Sequence, residues 1–264
     1  MRKISFYLLL LLFFSGKIFA NKILCLHGGG GSAASLQAQQ GMQDLIEALP
    51  EWDFVFASSP ISGGIWYNDP PGGGKEPTND PNWANASISY LDDFIASNGP
   101  FDAILGYSQG VPMSLVYLAA GDHNFNKVLL FNGYLPTTHM GLINTINSNS
   151  PFEESALLFV AQNDYYFYEI GLEVKNKFSN FIEWVSPTAG HALPTSTDVH
   201  FQSVLDFFGD SDSTDTGTDS TSAQSFRLNI FMGSDLNNMQ LLDTRIIESS
   251  ADSQFLRAEL VPND

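Results

Sequence analysis

The pentapeptide Gly106-Tyr107-Ser108-Gln109-Gly110 carries the strongest chemical signal in the sequence. It follows the apolar run 103–105 and opens a helix-like stretch. In that setting a serine is held at the tip of a sharp strand-to-helix turn, the nucleophile elbow. Side chains at 106 and 110 would strike neighbouring backbone, and glycine at both positions relieves the collision. A serine hydroxyl is a weak nucleophile at neutral pH and needs a base within hydrogen-bond reach. Chains built around such an elbow order their residues serine, acid, histidine. Among the downstream histidines, His191 lies in the loop Thr188-Ala189-Gly190-His191-Ala192-Leu193-Pro194, after the strand candidate 181–185. Loops after strand ends are where open sheets keep their sites. His123 precedes a strand and belongs at the opposite edge, and His200 falls in the last amphipathic helix as a surface or packing residue. His139, 8 residues past the strand candidate 128–131, is the rival base. The acid belongs after the strand 157–161, where Gln162-Asn163-Asp164 follows. Asp164 would fix the imidazole tautomer and stabilise the imidazolium. An aspartate there also suits a helix cap, and Glu169 is a second acid slightly further on.

Acyl transfer also needs donors for the oxyanion, each worth roughly 3 kcal/mol. One is the amide after the nucleophile, here Gln109, and the other comes from the loop after an early strand. The run His27-Gly28-Gly29-Gly30-Gly31-Ser32 follows the strand candidate 22–26, and Gly29 is the expected second donor, with Gly28 and Gly30 as alternatives. His27 is expected to brace this loop. The aromatic residues Trp66, Tyr67, Tyr134, Tyr165 and Phe167 follow strand ends and are candidates to line a substrate pocket.

Other readings of these motifs are weaker. Gly28-Gly29-Gly30-Gly31-Ser32-Ala33 matches the dinucleotide fingerprint, but the second strand ends Phe56-Ala57-Ser58, without the acid that holds a ribose hydroxyl. Gly72-Gly73-Gly74-Lys75-Glu76 lacks the Ser or Thr of a phosphate loop. The aspartates at 210, 212 and 215 lack the glycine and glutamate of a calcium loop. Asn85-Ala86-Ser87 is a glycosylation acceptor pattern. The expected chemistry therefore uses no metal and no cofactor. A dinucleotide-dependent enzyme and a non-catalytic ligand-binding protein on the same scaffold are the rival classes.

The elements that must position these residues alternate along the chain. Strand candidates are 22–26, 54–57, 103–106, 128–131, 157–161 and 181–185; helix candidates are 35–49, 83–97, 109–120, 168–177 and 199–208. Repeated strand–helix units predict an α/β architecture, a mostly parallel sheet with helices on both faces. The strands are solidly apolar, as when both faces are covered. Residues 58–81 form a long loop rich in proline and glycine, and long loops in compact domains are often functional.

Residues 1–20 read as a secretory signal peptide: Arg2 and Lys3 open it, the stretch 4–14 is dominated by Leu and Phe, and Ala20 ends a cleavage site. Those 11 apolar-run residues fall short of the about 20 that span a bilayer. The expected product is secreted or extracytoplasmic, with no membrane span in the mature chain. Of 11 basic residues, three (Arg2, Lys3 and Lys17) leave with the leader, so 8 face 29 acids, a formal net charge of −21. Such a surface repels nucleic acid and anionic membranes, which leaves a small-molecule substrate as the expected partner. Cys25 is the sole cysteine, so no internal disulfide forms, and its apolar setting predicts a buried thiol. The hydrolase domain is expected at 21–209, an acidic flexible linker at 210–224, and a C-terminal extension at 225–264 that is a β-ribbon, a sorting tail or loose chain.

Taken together, Leu26-His27-Gly28, Gln39 or Gln40, Phe54 to Pro60, Trp66, the Ser108 elbow and Gly190-His191-Ala192-Leu193-Pro194 resemble the FSH family of serine hydrolases over about residues 22–208. The resemblance implies an α/β-hydrolase fold and a Ser108–Asp164–His191 triad acting on carboxylic esters or thioesters. Acyl-protein thioesterases and carboxylesterases share the Ser-Gln-Gly elbow but continue differently after the histidine, and a lipase-like enzyme is a further neighbour.

Overall fold

The computed structural model describes residues 21–70, 77–209, 224–232 and 240–249. The expected leader at 1–20, the 71–76 glycine run and most of the expected linker at 210–224 lie outside the described residues. The chain divides between Asp212 and Ser213 into two units.

In the first unit, six strands form one parallel sheet: β1 (Asn21–Leu26), β2 (Trp52–Ala57), β3 (Ala103–Tyr107), β4 (Lys127–Phe131), β5 (Ser155–Ala161) and β6 (Phe181–Ser186). Their order is β2-β1-β3-β4-β5-β6. Because successive residues of a strand point to opposite faces, an unbroken apolar strand feeds two cores. Ile23, Cys25, Leu105, Leu129, Phe131 and Phe159 face α1 (Ala33–Gln37), α2 (Gln40–Ala48) and α7 (Phe201–Gly209) through Leu36, Met42, Leu45 and Val204. Leu24, Leu26, Ile104, Val128, Leu130 and Leu158 face α3 (Asn85–Asn98), α4 (Gly110–Ala120) and α5 (Met140–Asn149) through Leu91, Ile95, Met113, Val116 and Ile146. Burial pushes the Cys25 thiol well above its ordinary range, consistent with a core thiol. The expectation of helices on both faces of a parallel sheet holds.

Two elements depart from the sequence reading. The helix expected over 35–49 is two helices, because Gln39 adopts an extended conformation between α1 and α2. The break lets Gly41 pack against the loop after β6, where an added Cβ would stand 2.5 Å from the Leu193 carbonyl oxygen. Helix α5 was not expected at all. The 168–177 helix forms as α6 (Tyr168–Gly171) continuing into a 3₁₀ helix, Leu172–Lys177.

Strand order reverses between β1 and β3: β1 leads outward to β2, and the chain then returns to the other side of β1. Chains leaving β1 and β3 diverge there and open a crevice at the carboxyl edge. The glycine loop follows β1, and Ser108 follows β3.

In the second unit, β7 (Gln224–Met232) and β8 (Gln240–Ser249) pair as a two-stranded antiparallel ribbon.

Candidate active site

The elbow owes its shape to steric necessity. A Cβ on Gly106 would lie 2.6 Å from the Gly110 carbonyl oxygen, and one on Gly110 would lie 2.2 Å from that of Leu26. Ser108 takes φ 53°, a left-handed conformation that costs a non-glycine residue roughly 1–2 kcal/mol. Its amide donates to the Phe131 carbonyl at 3.0 Å, tying the tip to the end of β4. Pro112 sits in the first turn of α4, where its missing N–H costs no intrahelical bond.

The structure brings the three expected side chains together. His191 Nε2 lies 2.9 Å from Ser108 Oγ, and His191 Nδ1 lies 2.6 Å from Asp164 Oδ2. Asp164 is 5% exposed, so its charge acts on the imidazole with little solvent screening. The Asp164 side chain caps no helix; its backbone carbonyl accepts from Phe167 and Tyr168 instead. Glu169 stays on the exposed surface of α6.

The rival histidines are occupied elsewhere. His139 is buried, with Nε2 donating to the Asn68 carbonyl oxygen at 2.9 Å and its ring edge-on to Tyr67. His123 Nε2 bonds the Phe101 carbonyl at the amino edge of the sheet. His200 stacks on Trp184 and bonds the Val185 carbonyl. His27 braces the glycine loop as expected: Nε2 accepts the Ser59 N–H at 3.0 Å, and Nδ1 therefore donates to the Gly28 carbonyl at 2.7 Å. Burial holds its imidazole below the ordinary value, matching the neutral tautomer this arrangement needs.

Donors for an oxyanion can be narrowed by elimination. The Gly30 amide donates to Gly64 O at 2.8 Å and that of Gly31 to Gly28 O at 3.1 Å. Among the described residues the amides of Gly28, Gly29 and Gln109 have no protein acceptor. The Gln109 side chain fixes the elbow against the long loop, accepting from the Trp66 amide at 3.0 Å and donating to the Tyr67 carbonyl at 3.2 Å. A pocket of about 170 Å³ beside Ser108 is lined by the glycine loop, Ser35, Gln39, Tyr107 and His191. A larger hollow of about 340 Å³ lies at the amino edge, among Asn21, Trp52, Asp102 and Lys127, away from the triad.

The aromatic residues expected around the substrate divide. Trp66 is fully buried, and its Nε1 donates to the His27 carbonyl at 2.7 Å, so it is a brace inside the core and not a pocket wall. Tyr67 is likewise buried, and burial pushes its hydroxyl well above the ordinary tyrosine value. Tyr165 is 90% exposed and points into solvent. Strand-end position located all three near the carboxyl edge but carried no information on burial. Phe167 stacks on the His191 ring at 4.6 Å, and Tyr134 stacks on Phe167 at 5.3 Å, forming an aromatic wall that starts at the imidazole. Burial pushes the Tyr134 hydroxyl up to about 12, so it stays protonated.

Two contributors went unseen in the sequence. Tyr107 donates its hydroxyl to the His191 carbonyl at 2.7 Å and lays its ring beside the imidazole. Asn132, directly after β4, adopts φ 46° and binds the His191 loop through its amide. An asparagine ending an apolar strand was the available signal, since asparagine tolerates the left-handed region. Among the described residues no cluster of three or more His, Cys, Asp or Glu is arranged to hold a metal, and no helix is long and apolar enough to cross a membrane.

With this geometry in place, comparison with known proteins assigns the family. The family model described as Serine hydrolase (FSH1) matches residues 18–202. The chain belongs to the FSH1 serine hydrolase family. Among curated relatives, Esterase alnB of Emericella nidulans is 40% identical over 106 residues, covering 37% of this chain and 36% of that protein. Hydrolase phiM of a fungal species is 32% identical over 128 residues, covering 46% of this chain and 59% of that protein. The match thus spans about a third to three fifths of these relatives' lengths. Solved structures share the fold: esterase PE8 aligns with a TM-score of 0.55 at 17% identity, covering 72% of this chain and 92% of that one. Arabidopsis thaliana SOBER1 aligns at 0.51 and 17% identity, covering 72% and 97%. FSH1 membership and these neighbours make the architecture an α/β-hydrolase fold.

Proposed function

We propose that the chain hydrolyses carboxylic esters, or thioesters by the same chemistry, through an acyl-enzyme on Ser108. The observation that carries the reading is the relay from Asp164 Oδ2 through His191 to Ser108 Oγ, at 2.6 and 2.9 Å. Ser108 Oγ attacks the carbonyl carbon while His191 Nε2 takes its proton, and Asp164 holds the Nδ1 proton and stabilises the imidazolium. The amides of Gln109 and Gly29 receive the developing oxyanion. Collapse of the tetrahedral intermediate expels the alcohol or thiol, which takes the proton from His191. Water then enters and attacks the acyl carbon as it loses a proton to His191; the acyl–Oγ bond breaks, His191 returns that proton to Ser108 Oγ, and the acid leaves. Every step uses protein groups and water. Family membership and the esterase relatives support the reaction class, and the leader-like residues 1–20 support action outside the cytoplasm.

The test is labelling of the full chain with a fluorophosphonate probe, mapping of the modified residue, and turnover of p-nitrophenyl esters of rising chain length. Modification at Ser108 and loss of both labelling and turnover in Ser108→Ala are expected. Labelling that persists in Ser108→Ala refutes the assignment. Ester turnover that is absent while the protein is folded and Ser108 unmodified favours a ligand-binding protein on this scaffold.

A further inference from the structure

The geometry points to Asn132 as the positioning residue that sets the catalytic register of His191 by clamping both sides of its loop to the acid-bearing strand. The inference rests on the triad reading above. Asn132 is 2% exposed and lies at the carboxyl end of β4, between the nucleophile strand β3 and the acid strand β5. Its side-chain amide is fully employed. Nδ2 donates to the carbonyl oxygens of Gly190 at 3.2 Å and Ala192 at 2.6 Å, the two residues flanking His191. Oδ1 accepts the Ala161 N–H at 2.8 Å, three residues before Asp164. Its backbone N–H donates to the Phe159 carbonyl at 2.8 Å, so the clamp is anchored to β5 twice.

One planar amide therefore fixes the base loop relative to the strand that delivers the acid. Its two Nδ2 hydrogens diverge at a fixed angle, which sets the separation of the Gly190 and Ala192 carbonyls and hence where the His191 side chain leaves the loop. The left-handed backbone at φ 46° is what turns this side chain sideways out of the strand end and under the loop. A second latch acts from outside: Asn163 accepts the Gly190 N–H at 2.7 Å and donates to the Thr188 carbonyl at 3.2 Å. Asn163 is exposed, whereas Asn132 is sealed from water; loss of the Asn132 amide takes away the partner of the Ala161 N–H and of the Ala192 carbonyl, while the Gly190 carbonyl keeps the Ala192 N–H at 2.9 Å. No aliphatic side chain of this size supplies two donors and one acceptor in that fork.

The experiment compares Asn132→Gly and Asn132→Asp in the full chain, with kcat, KM and thermal midpoint measured together. Glycine keeps the left-handed backbone and removes the amide; aspartate keeps the acceptor for Ala161 and turns the donors into acceptors facing two carbonyls. Misplacing a catalytic group by about 1 Å costs about 100-fold, so both variants are expected to lose about that much kcat with KM within about threefold of the parent. A purely structural role would lower the midpoint and leave kcat per folded molecule intact. A folded Asn132→Gly with kcat within about threefold of the parent overturns the clamp, and if glycine fails to fold, the same result in Asn132→Asp overturns it. Fluorophosphonate mapping of the parent separates the two ideas: no modification at Ser108 removes the triad itself, whereas normal modification with an active Asn132→Gly removes the clamp alone.

Discussion

The glycine loop and the long 58–81 loop meet at one point where the effect of a single methyl group can be worked out. Gly64 has φ 67°, and a Cβ there would lie 2.1 Å from the Gly31 carbonyl oxygen. Gly63, its neighbour, has φ 88°, and a Cβ there would meet nothing within 4 Å. Alanine at either position incurs the left-handed penalty of roughly 1–2 kcal/mol, about 2–8 °C in thermal midpoint for a unit of this size. Gly64→Ala adds a collision that needs a retreat of about 1.3 Å to reach an ordinary contact distance of about 3.4 Å. The segment that must retreat also carries the Gly30 amide bonded to Gly64 O at 2.8 Å, next to Gly29, the expected oxyanion donor, and two residues from its alternative Gly28. Displacing one donor costs about 100- to 1,000-fold in kcat. Gly63→Ala is therefore expected to lower the midpoint and keep kcat, and Gly64→Ala to lower both, with kcat down about 100-fold. Steady-state ester hydrolysis beside differential scanning fluorimetry reads the pair. Equal kcat in the two variants would show that the glycine loop does not depend on this contact and would refute the reasoning.

Two further outcomes follow from the same geometry. Asp164→Asn keeps the shape of the site but presents an amide to His191 Nδ1, so the imidazole carries its proton on the wrong nitrogen; kcat should fall about 10⁴-fold with Ser108 still present, and a loss under about tenfold would make Glu169 or another acid the true partner. Burial holds the His27 imidazole below 6.5, with the contact to the Gly28 carbonyl opposing. The folded state thus binds fewer protons than the unfolded chain, so this contribution is complete above about pH 6.5 and is lost as pH falls below it. The thermal midpoint of the parent should drop more steeply between about pH 7 and 5 than that of His27→Gln, and parallel curves would contradict the assignment.

The three side chains of the proposed relay could be singled out in the sequence because each is tied to a local rule. An elbow needs small residues around its serine, and chain order then places an acid and a histidine after later strands. Those rules concern where a residue stands along the chain. They say nothing of which side chains face inward, which is why Trp66 and Tyr67 read as pocket walls although both are buried in the core, and why Tyr165 did although it is exposed. Helix α5 was missed for a related reason. Its sequence, Met-Gly-Leu-Ile-Asn-Thr-Ile-Asn-Ser-Asn, is poor in helix formers, and the buried Leu142 and Ile146 hold it against the core instead. The split of the first predicted helix at Gln39 goes with the packing of Gly41 against the Leu193 carbonyl, a contact between residues some 150 apart that no local pattern encodes.

The placement of strain explains why the carboxyl edge can hold a relay at all. Among the described residues, the non-glycine positions with positive φ are Ser108 and Asn132, at the ends of the adjacent strands β3 and β4. A side chain continuing regular strand geometry would point into one of the two apolar layers. The left-handed turn frees it from that alternation and sends it sideways, across the strand ends and toward its neighbours. Each such residue costs roughly 1–2 kcal/mol, and the cost is tolerable where the surrounding structure fixes the conformation. Here the strands beneath are packed on both faces, and the two turns are locked by Ser108 N–H to the Phe131 carbonyl and Asn132 N–H to the Phe159 carbonyl, one strand over in each case. Each strained turn leans on the next strand in the sheet: β3 on β4 for the nucleophile, β4 on β5 for the clamp. The parallel order that buries the core is thus the same order that passes positional information from Ser108 to Asp164, and a sheet with β4 and β5 exchanged would retain its hydrophobic burial while losing the alignment of the triad.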